Sequence, residues 1–267
     1  MYGFDYLKAA SVADAANRLA ADEDAKLLAG GMTLLPTLRQ RLAMPSALID
    51  LNSVAGLDAI VDIKSQLRVG AMARHADVAA SAVVNKALPA LARLAAGIGD
   101  VQVRHRGTLG GSIANNDPAA DYPAALLALN AQVITNRRSI AAGDFFTGMF
   151  ETALGQDEII VAVEFPALMR AAYAKFRHPA SRYAITGVFI ADHGDGDIKV
   201  AVTGAAPCVF RWQAAEQALA KHFEPGALGA LQLPSEGLNS DLHADAAYRA
   251  HLTKIMAERA VAMVKKA

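Results

Sequence analysis

Two glycine-centred stretches hold the residue types in this chain best suited to chemistry with a bound ligand. The first, Ala29-Gly30-Gly31-Met32-Thr33, follows the apolar run Ala25-Lys26-Leu27-Leu28. Glycines let a backbone approach a ligand without Cβ atoms in the way. A helix N-terminus just behind them offers free N–H groups and a positive dipole end, which suit a pyrophosphate. The run matches neither GxGxxG nor GxxxxGKS/T, and a Gly-Gly run after a strand is more often a plain turn than a nucleotide site. The second stretch runs Gly107-Thr108-Leu109-Gly110-Gly111-Ser112-Ile113-Ala114-Asn115-Asn116-Asp117-Pro118-Ala119-Ala120-Asp121-Tyr122-Pro123. It favours close backbone contact with a flat or anionic ligand. Thr108, Ser112 and Asn115 can donate to oxygens, and Asp121 can accept from sugar hydroxyls. A tight loop with Asx turns and a capped helix explains the same composition, so residue chemistry alone leaves both readings open.

The elements around these stretches can be read from periodicity. Ser11 is placed to cap a helix to about residue 21, with Asp14 in its first turn. A strand at 25–29, the glycine turn, a helix from about Thr33 to Leu42 and a strand at Ala47–Leu51 make a βαβ unit. Ile60–Ile63 and Leu67–Gly70 alternate like a hairpin. Residues 76–97 read as two helices broken at Pro89. A helix at Pro123–Leu129 and strands near Gln132–Thr135 and Glu158–Phe165 complete this half. Beyond about Tyr173 three strands are predicted, at Ala174–Arg177, Ala184–Ala191 and Ile198–Thr203. A turn at Gly194–Asp197 joins the last two, and helices follow at Trp212–His222 and Ala244–Lys265. The fold class is α+β, an antiparallel sheet with helices on one face closing the chain. A domain boundary falls near 168–172.

Composition removes several function classes. The 267 residues suffice to bury roughly 70–75% of the unfolded surface. Twenty-six basic residues balance 26 acidic ones, so no overall field favours nucleic acid or an anionic membrane. No run approaches the ~20 apolar residues of a membrane span. Met1-Tyr2-Gly3-Phe4-Asp5 lacks a secretory pattern, and a cytoplasmic protein is expected. One cysteine, Cys208, excludes an internal disulfide and an iron–sulfur cluster in this chain. The seven histidines show no short metal-ligand spacing, so no metal site is expected. His75 and His105 read as structural or surface residues.

Three landmarks in order, Leu28-Ala29-Gly30-Gly31-Met32-Thr33-Leu34-Leu35-Pro36, Ile98-Gly99-Asp100 through Asp121, and Tyr173-Ala174-Lys175-Phe176, resemble the flavoprotein subunit of the carbon monoxide dehydrogenase and xanthine dehydrogenase family of molybdenum hydroxylases. The resemblance covers essentially the whole chain, and the middle landmark is its distinctive part. It implies a PCMH-type FAD-binding domain at 1–170, with subdomains at about 1–55 and 56–170. A C-terminal domain of the carbon monoxide dehydrogenase flavoprotein type, a three-stranded antiparallel sheet with helices, would span 171–267. By resemblance, Ala29, Gly30, Gly31, Met32, Thr33 and Leu34 would wrap the FAD pyrophosphate. Thr108, Gly111 and Ser112 would hold its second face and the ribityl region. Asn115 and Asp121 would bind nearby polar atoms, Asp121 at a ribose hydroxyl. Ile160 would pack near the adenine or ring system, Lys175 would lie near the flavin, and Ile98 would contact the ring.

Each assignment has a plainer alternative. Ile98 and Ile160 can be core, and Lys175 a solvated strand lysine. Tyr183 can stack on the isoalloxazine or be a half-buried strand tyrosine. Family members often carry Thr-Asp or Gln-Ser where this chain has Met32-Thr33, which leaves the backbone role of the glycines intact. The family places a molybdopterin cofactor in a large partner subunit and two [2Fe-2S] clusters in a small one, commonly in a dimer of heterotrimers. The implied function is an electron relay from those clusters through FAD to an external acceptor, with no proton-transfer catalyst in this chain. The rivals are a stand-alone FAD-dependent oxidoreductase of the same fold and a non-enzymatic nucleotide-binding or scaffold protein with a FAD-like cleft.

Overall fold

The computed structural model of the chain describes residues 1–63, 66–167 and 170–265. The boundary expected near 168–172 includes residues 168 and 169, which lie outside the described residues. Residues 1–57 build a small parallel sheet in which Ala47–Asp50 lies between Asp5–Lys8 and Lys26–Leu28. All four residues of its central strand are buried, as expected for a parallel strand covered on both faces. The edge strand Asp5–Lys8 escapes the sequence reading because its positions are mostly exposed. Ser11 caps the helix Val12–Ala21 as expected, its side chain accepting from the Asp14 N–H at 3.0 Å.

A five-stranded antiparallel sheet forms the next layer. Ile160–Phe165 is its centre, flanked by Gln66–Gly70 and Gln132–Thr135. Ile60–Ile63 pairs with Gln66–Gly70 as the expected hairpin. Residues 75–96 form three helices: His75–Ala80, Ala82–Ala87 and Pro89–Ala96. The extra break falls at Ser81, whose extended backbone and hydroxyl cap the second helix; serine competes for local hydrogen bonds in this way. Pro89 opens the third helix, where its missing N–H costs nothing.

The C-terminal sheet has the three long strands expected, Arg170–Arg177, Ala184–Asp192 and Ile198–Thr203, and a short fourth, Phe210–Arg211. All nine residues of Ala184–Asp192 are buried. Val188 and Ile190 pack with Trp212, Met256 and Val261. Phe189 and Ala191, on the opposite face, belong to the core that holds Tyr122, Leu126 and Phe165. This sheet therefore has helices on one face and the preceding half of the chain on the other, which the alternation within a single strand cannot reveal. No helix among the described residues is long and apolar enough to cross a membrane.

Candidate functional site

The layers meet around a cavity of about 550 Å³. All the residues singled out from the sequence line it except Lys175. That volume lies inside the range of about 300–1,000 Å³ typical of small-molecule and cofactor sites.

One wall is the loop that follows Lys26–Leu28. The N–H groups of Gly30, Gly31, Met32, Thr33 and Leu34 donate to no group among the described residues. Five consecutive free donors beside a cavity form a cradle for an anion. Gly31 takes φ +73°, a conformation glycine adopts at no steric cost. Gly30 is glycine for another reason, since a Cβ there would lie 2.0 Å from the carbonyl oxygen of Arg106. The two glycine stretches thus pack on one another. The loop is tied from behind by Asn52, whose amide donates to Ala29 O at 3.3 Å and to Asp50 Oδ1 at 2.6 Å. Burial pushes the Asp50 carboxyl up, but hydrogen bonds from Tyr6 and Asn52 outweigh it and hold the group below its usual range.

The second wall is the helix Leu109–Asn115, which the composition of its stretch hides. Here the expected donors are partly spent. Thr108 caps the helix, its hydroxyl accepting from the Gly111 N–H at 3.1 Å. The N–H groups of Leu109 and Gly110 bond to Ala73 O and Ala71 O. Gly111 therefore offers the cavity no free amide, and Thr108 keeps only its hydroxyl proton to give. Ser112 and Asn115 line the cavity with side chains unbonded among the described residues. Gly110 abuts Ala71, where a Cβ would come within 2.6 Å of that residue's own Cβ. Asn116, left-handed at φ +42°, ends the helix and donates its buried amide to Gly148 O and Glu151 O, both at 2.7 Å.

Lys175 is neither solvated nor turned to the cavity. Its ammonium and the Asp121 carboxylate, both 4% exposed, meet at 2.8 and 2.9 Å. The Tyr173 hydroxyl donates to the same carboxylate. Gly187 opposes Lys175 on the neighbouring strand, and a Cβ there would strike the Tyr173 hydroxyl. Asp121 still lines the cavity, but as the buried member of an ion pair whose oxygens are engaged. Burial pushes its carboxyl up, while Lys175 and Tyr173 draw it down. Ile160 is both core and cavity wall, and Ile98 is a half-buried wall packed on the same core. Tyr183 stands at the rim, 48% exposed. Its phenol is raised by burial, then by Asp117 and Asp121.

Sequence reasoning passed over several lining residues. His75 is buried against the cavity, and its imidazole is lowered to about 4 by burial and by Arg104. Its Nδ1 has no partner among the described residues. Met72, Gly99, Val103, Asp117 and Arg182 also line the space. Gly99, Val103 and Asp117 fall inside the landmark 98–121 without having been singled out, whereas Met72 and Arg182 come from separate elements that no linear pattern marks.

Comparison with known proteins agrees with this geometry. Residues 2–168 match the family described as FAD binding domain in molybdopterin dehydrogenase. The chain is 37% identical to the nicotine 6-hydroxylase medium subunit of Paenarthrobacter nicotinovorans, over 96% of this chain and 95% of that one. The chain belongs to the FAD-binding subunits of the molybdenum hydroxylases. A structure of carbon monoxide dehydrogenase from Hydrogenophaga pseudoflava superposes on this flavoprotein subunit with TM-score 0.88 at 34% identity, covering 98% of this chain and 97% of that one. Quinoline 2-oxidoreductase from Pseudomonas putida 86 gives 0.90 at 30% identity, covering 99% and 97%. The flavoprotein subunit is thus an oxidoreductase component of medium-chain type. Its residues fit FAD: a run of free N–H groups for a pyrophosphate, hydroxyl and amide side chains beside it, and apolar walls from Met72, Ile98, Val103 and Ile160 for a flat ring.

Proposed function

We propose that the cavity holds FAD and that the subunit relays electrons from [2Fe-2S] clusters of a partner to an external acceptor. The observation that supports this reading is that Gly30 to Leu34, whose N–H groups have no partner among the described residues, line a cavity that also collects Ser112 and Asn115. The N–H run, with Ala29 backing it, would hold the pyrophosphate through backbone donors. Ser112, Asn115 and the hydroxyl proton of Thr108 would donate to the phosphate and ribityl oxygens, with Gly111 leaving room for them. Ile98, Ile160 and Tyr183 would exclude water from the ring, and the neutralised Asp121–Lys175 pair would fix the cavity wall rather than present a charge. A flavin bound there supports one- and two-electron steps, which suits a relay. No side chain is assigned as a proton-transfer catalyst.

The partners of this reading are a large molybdopterin subunit and a small [2Fe-2S] subunit, assembled as a dimer of heterotrimers in the cytoplasm. Residues 1–170 would form the FAD-binding unit and residues 171–267 the C-terminal one. The test is to purify the tagged chain from its host and record its absorption spectrum beside a gel. Flavin bands overlaid by iron–sulfur absorption, with one large and one small partner, are expected. A solitary flavin-bearing chain that reduces a substrate unaided would overturn the relay and leave a stand-alone flavoenzyme.

A further inference from the structure

The connection 178–183 joins two strands of the C-terminal sheet at an edge of the cavity. It is closed by the His178 N–H on Tyr183 O at 2.8 Å and the Arg182 N–H on His178 O at 2.9 Å. Ser181, Arg182 and Tyr183 all line the cavity. Arg182 sits at φ +63°, a left-handed conformation that costs a non-glycine residue energy and persists only where surroundings enforce it. Its guanidinium reaches Gly99 O on the opposite rim at 3.5 Å. The strap is short, strained and exposed, so something must hold it in place.

His178 does this in a way that fixes its own proton. Its Nδ1 accepts the N–H groups of Ala180 and Ser181 at 3.2 and 3.1 Å. A nitrogen accepting two donors carries no proton, so the neutral ring bears it on Nε2. Nε2 lies 3.3 Å from Nδ1 of His243, with the rings inclined at 72°. The His178 Nε2–H then donates to His243 Nδ1, and the proton of His243 is on its own Nε2. This order also excludes a two-histidine metal clamp, because His178 Nε2 has no lone pair to give. His243 is in turn held by Asp241, whose Oδ1 accepts from the N–H groups of His243 and Ala244. Asp241 bonds Arg249 at 2.7 Å, and Arg249 is fixed to Ile185 O and Gly204 O. The strap is thereby tied through two imidazoles to the buried sheet.

We propose that His178 and His243 are positioning residues that hold Tyr183 and Arg182 at the flavin cavity through the hydrogen bond between their rings. This rests on the reading of the cavity as the FAD site.

The test is FAD affinity of the full chain at pH 8, measured by flavin fluorescence, with ring ¹⁵N NMR of the histidines. Loss of the hydrogen bond in H243F predicts a Kd about two- to tenfold higher, while H243N keeps an acceptor and binds like wild type. NMR places the His178 proton on Nε2, with or without flavin. Wild-type affinity in H243F, or a proton on His178 Nδ1, would overturn the latch. Failure of the wild type to bind FAD would instead overturn the cavity assignment, and the latch with it.

Discussion

Replacing Lys175 with methionine isolates a buried ion pair beside the cavity. The substitution keeps most of the side-chain volume and removes the charge together with its hydrogen bonds to Asp121. It leaves the Asp121 carboxylate 4% exposed, with the Tyr173 hydroxyl as its one remaining hydrogen-bond partner. Removing one member of a buried pair typically costs about 3–5 kcal/mol, because the remaining charge is left uncompensated. At about 2–4 °C per kcal/mol for a chain near this size, the melting temperature at pH 8 should fall by roughly 6–20 °C. The sign with pH follows from burial. Without the ammonium, desolvation holds the Asp121 carboxyl far above its unfolded value, so the folded variant binds a proton that the unfolded chain releases. Stability lost at pH 8 therefore returns as pH falls through that raised value. The double variant D121N/K175M removes the stranded charge and should recover most of the loss at pH 8. Thermal melts of the three variants and wild type at pH 8 and 5.5 provide the assay. A K175M melt within 2 °C of wild type, or a double variant no better than K175M, would refute a compensated buried pair.

Other consequences can be checked with the same preparations. Glu158 is held at about 2 by Arg138, against its burial, with the Gly155 N–H and Thr135 adding to the effect. Its contribution is full above the ordinary carboxylate range and lost as pH drops toward 2, so acid titration of the urea midpoint should flatten over that window in E158Q. His75, lowered to about 4, stabilises the fold as a neutral ring and loses this between about pH 6.5 and 4. H75L should remove that step from a melting-temperature profile, and an unchanged step would assign it elsewhere. G30A drives a Cβ into the Arg106 carbonyl. It should cost about 1–3 kcal/mol by overpacking and sharply reduce flavin content per chain; full flavin loading would show that the two glycine loops can part freely.

Local chemistry determined much of this protein from sequence alone. Ser11 with Asp14 starts a helix, Gly30-Gly31 turns the chain between a strand and a helix, and the alternation at Ile198–Thr203 makes a strand. These signals depend on neighbours within a few residues, so they survive in one dimension. The two glycine stretches stood out for the same reason, but the cavity they share did not. Tertiary structure decided which donors remain free. Gly30 and Gly110 are small because protein backbone presses on them, and Thr108 gives its oxygen to Gly111. Lys175 meets Asp121 across 54 positions, and His178 meets His243 across 65. Such pairings depend on how sheets and helices stack. A side chain's partners, its protonation and its exposure to a cavity are set by contacts that the linear order does not contain.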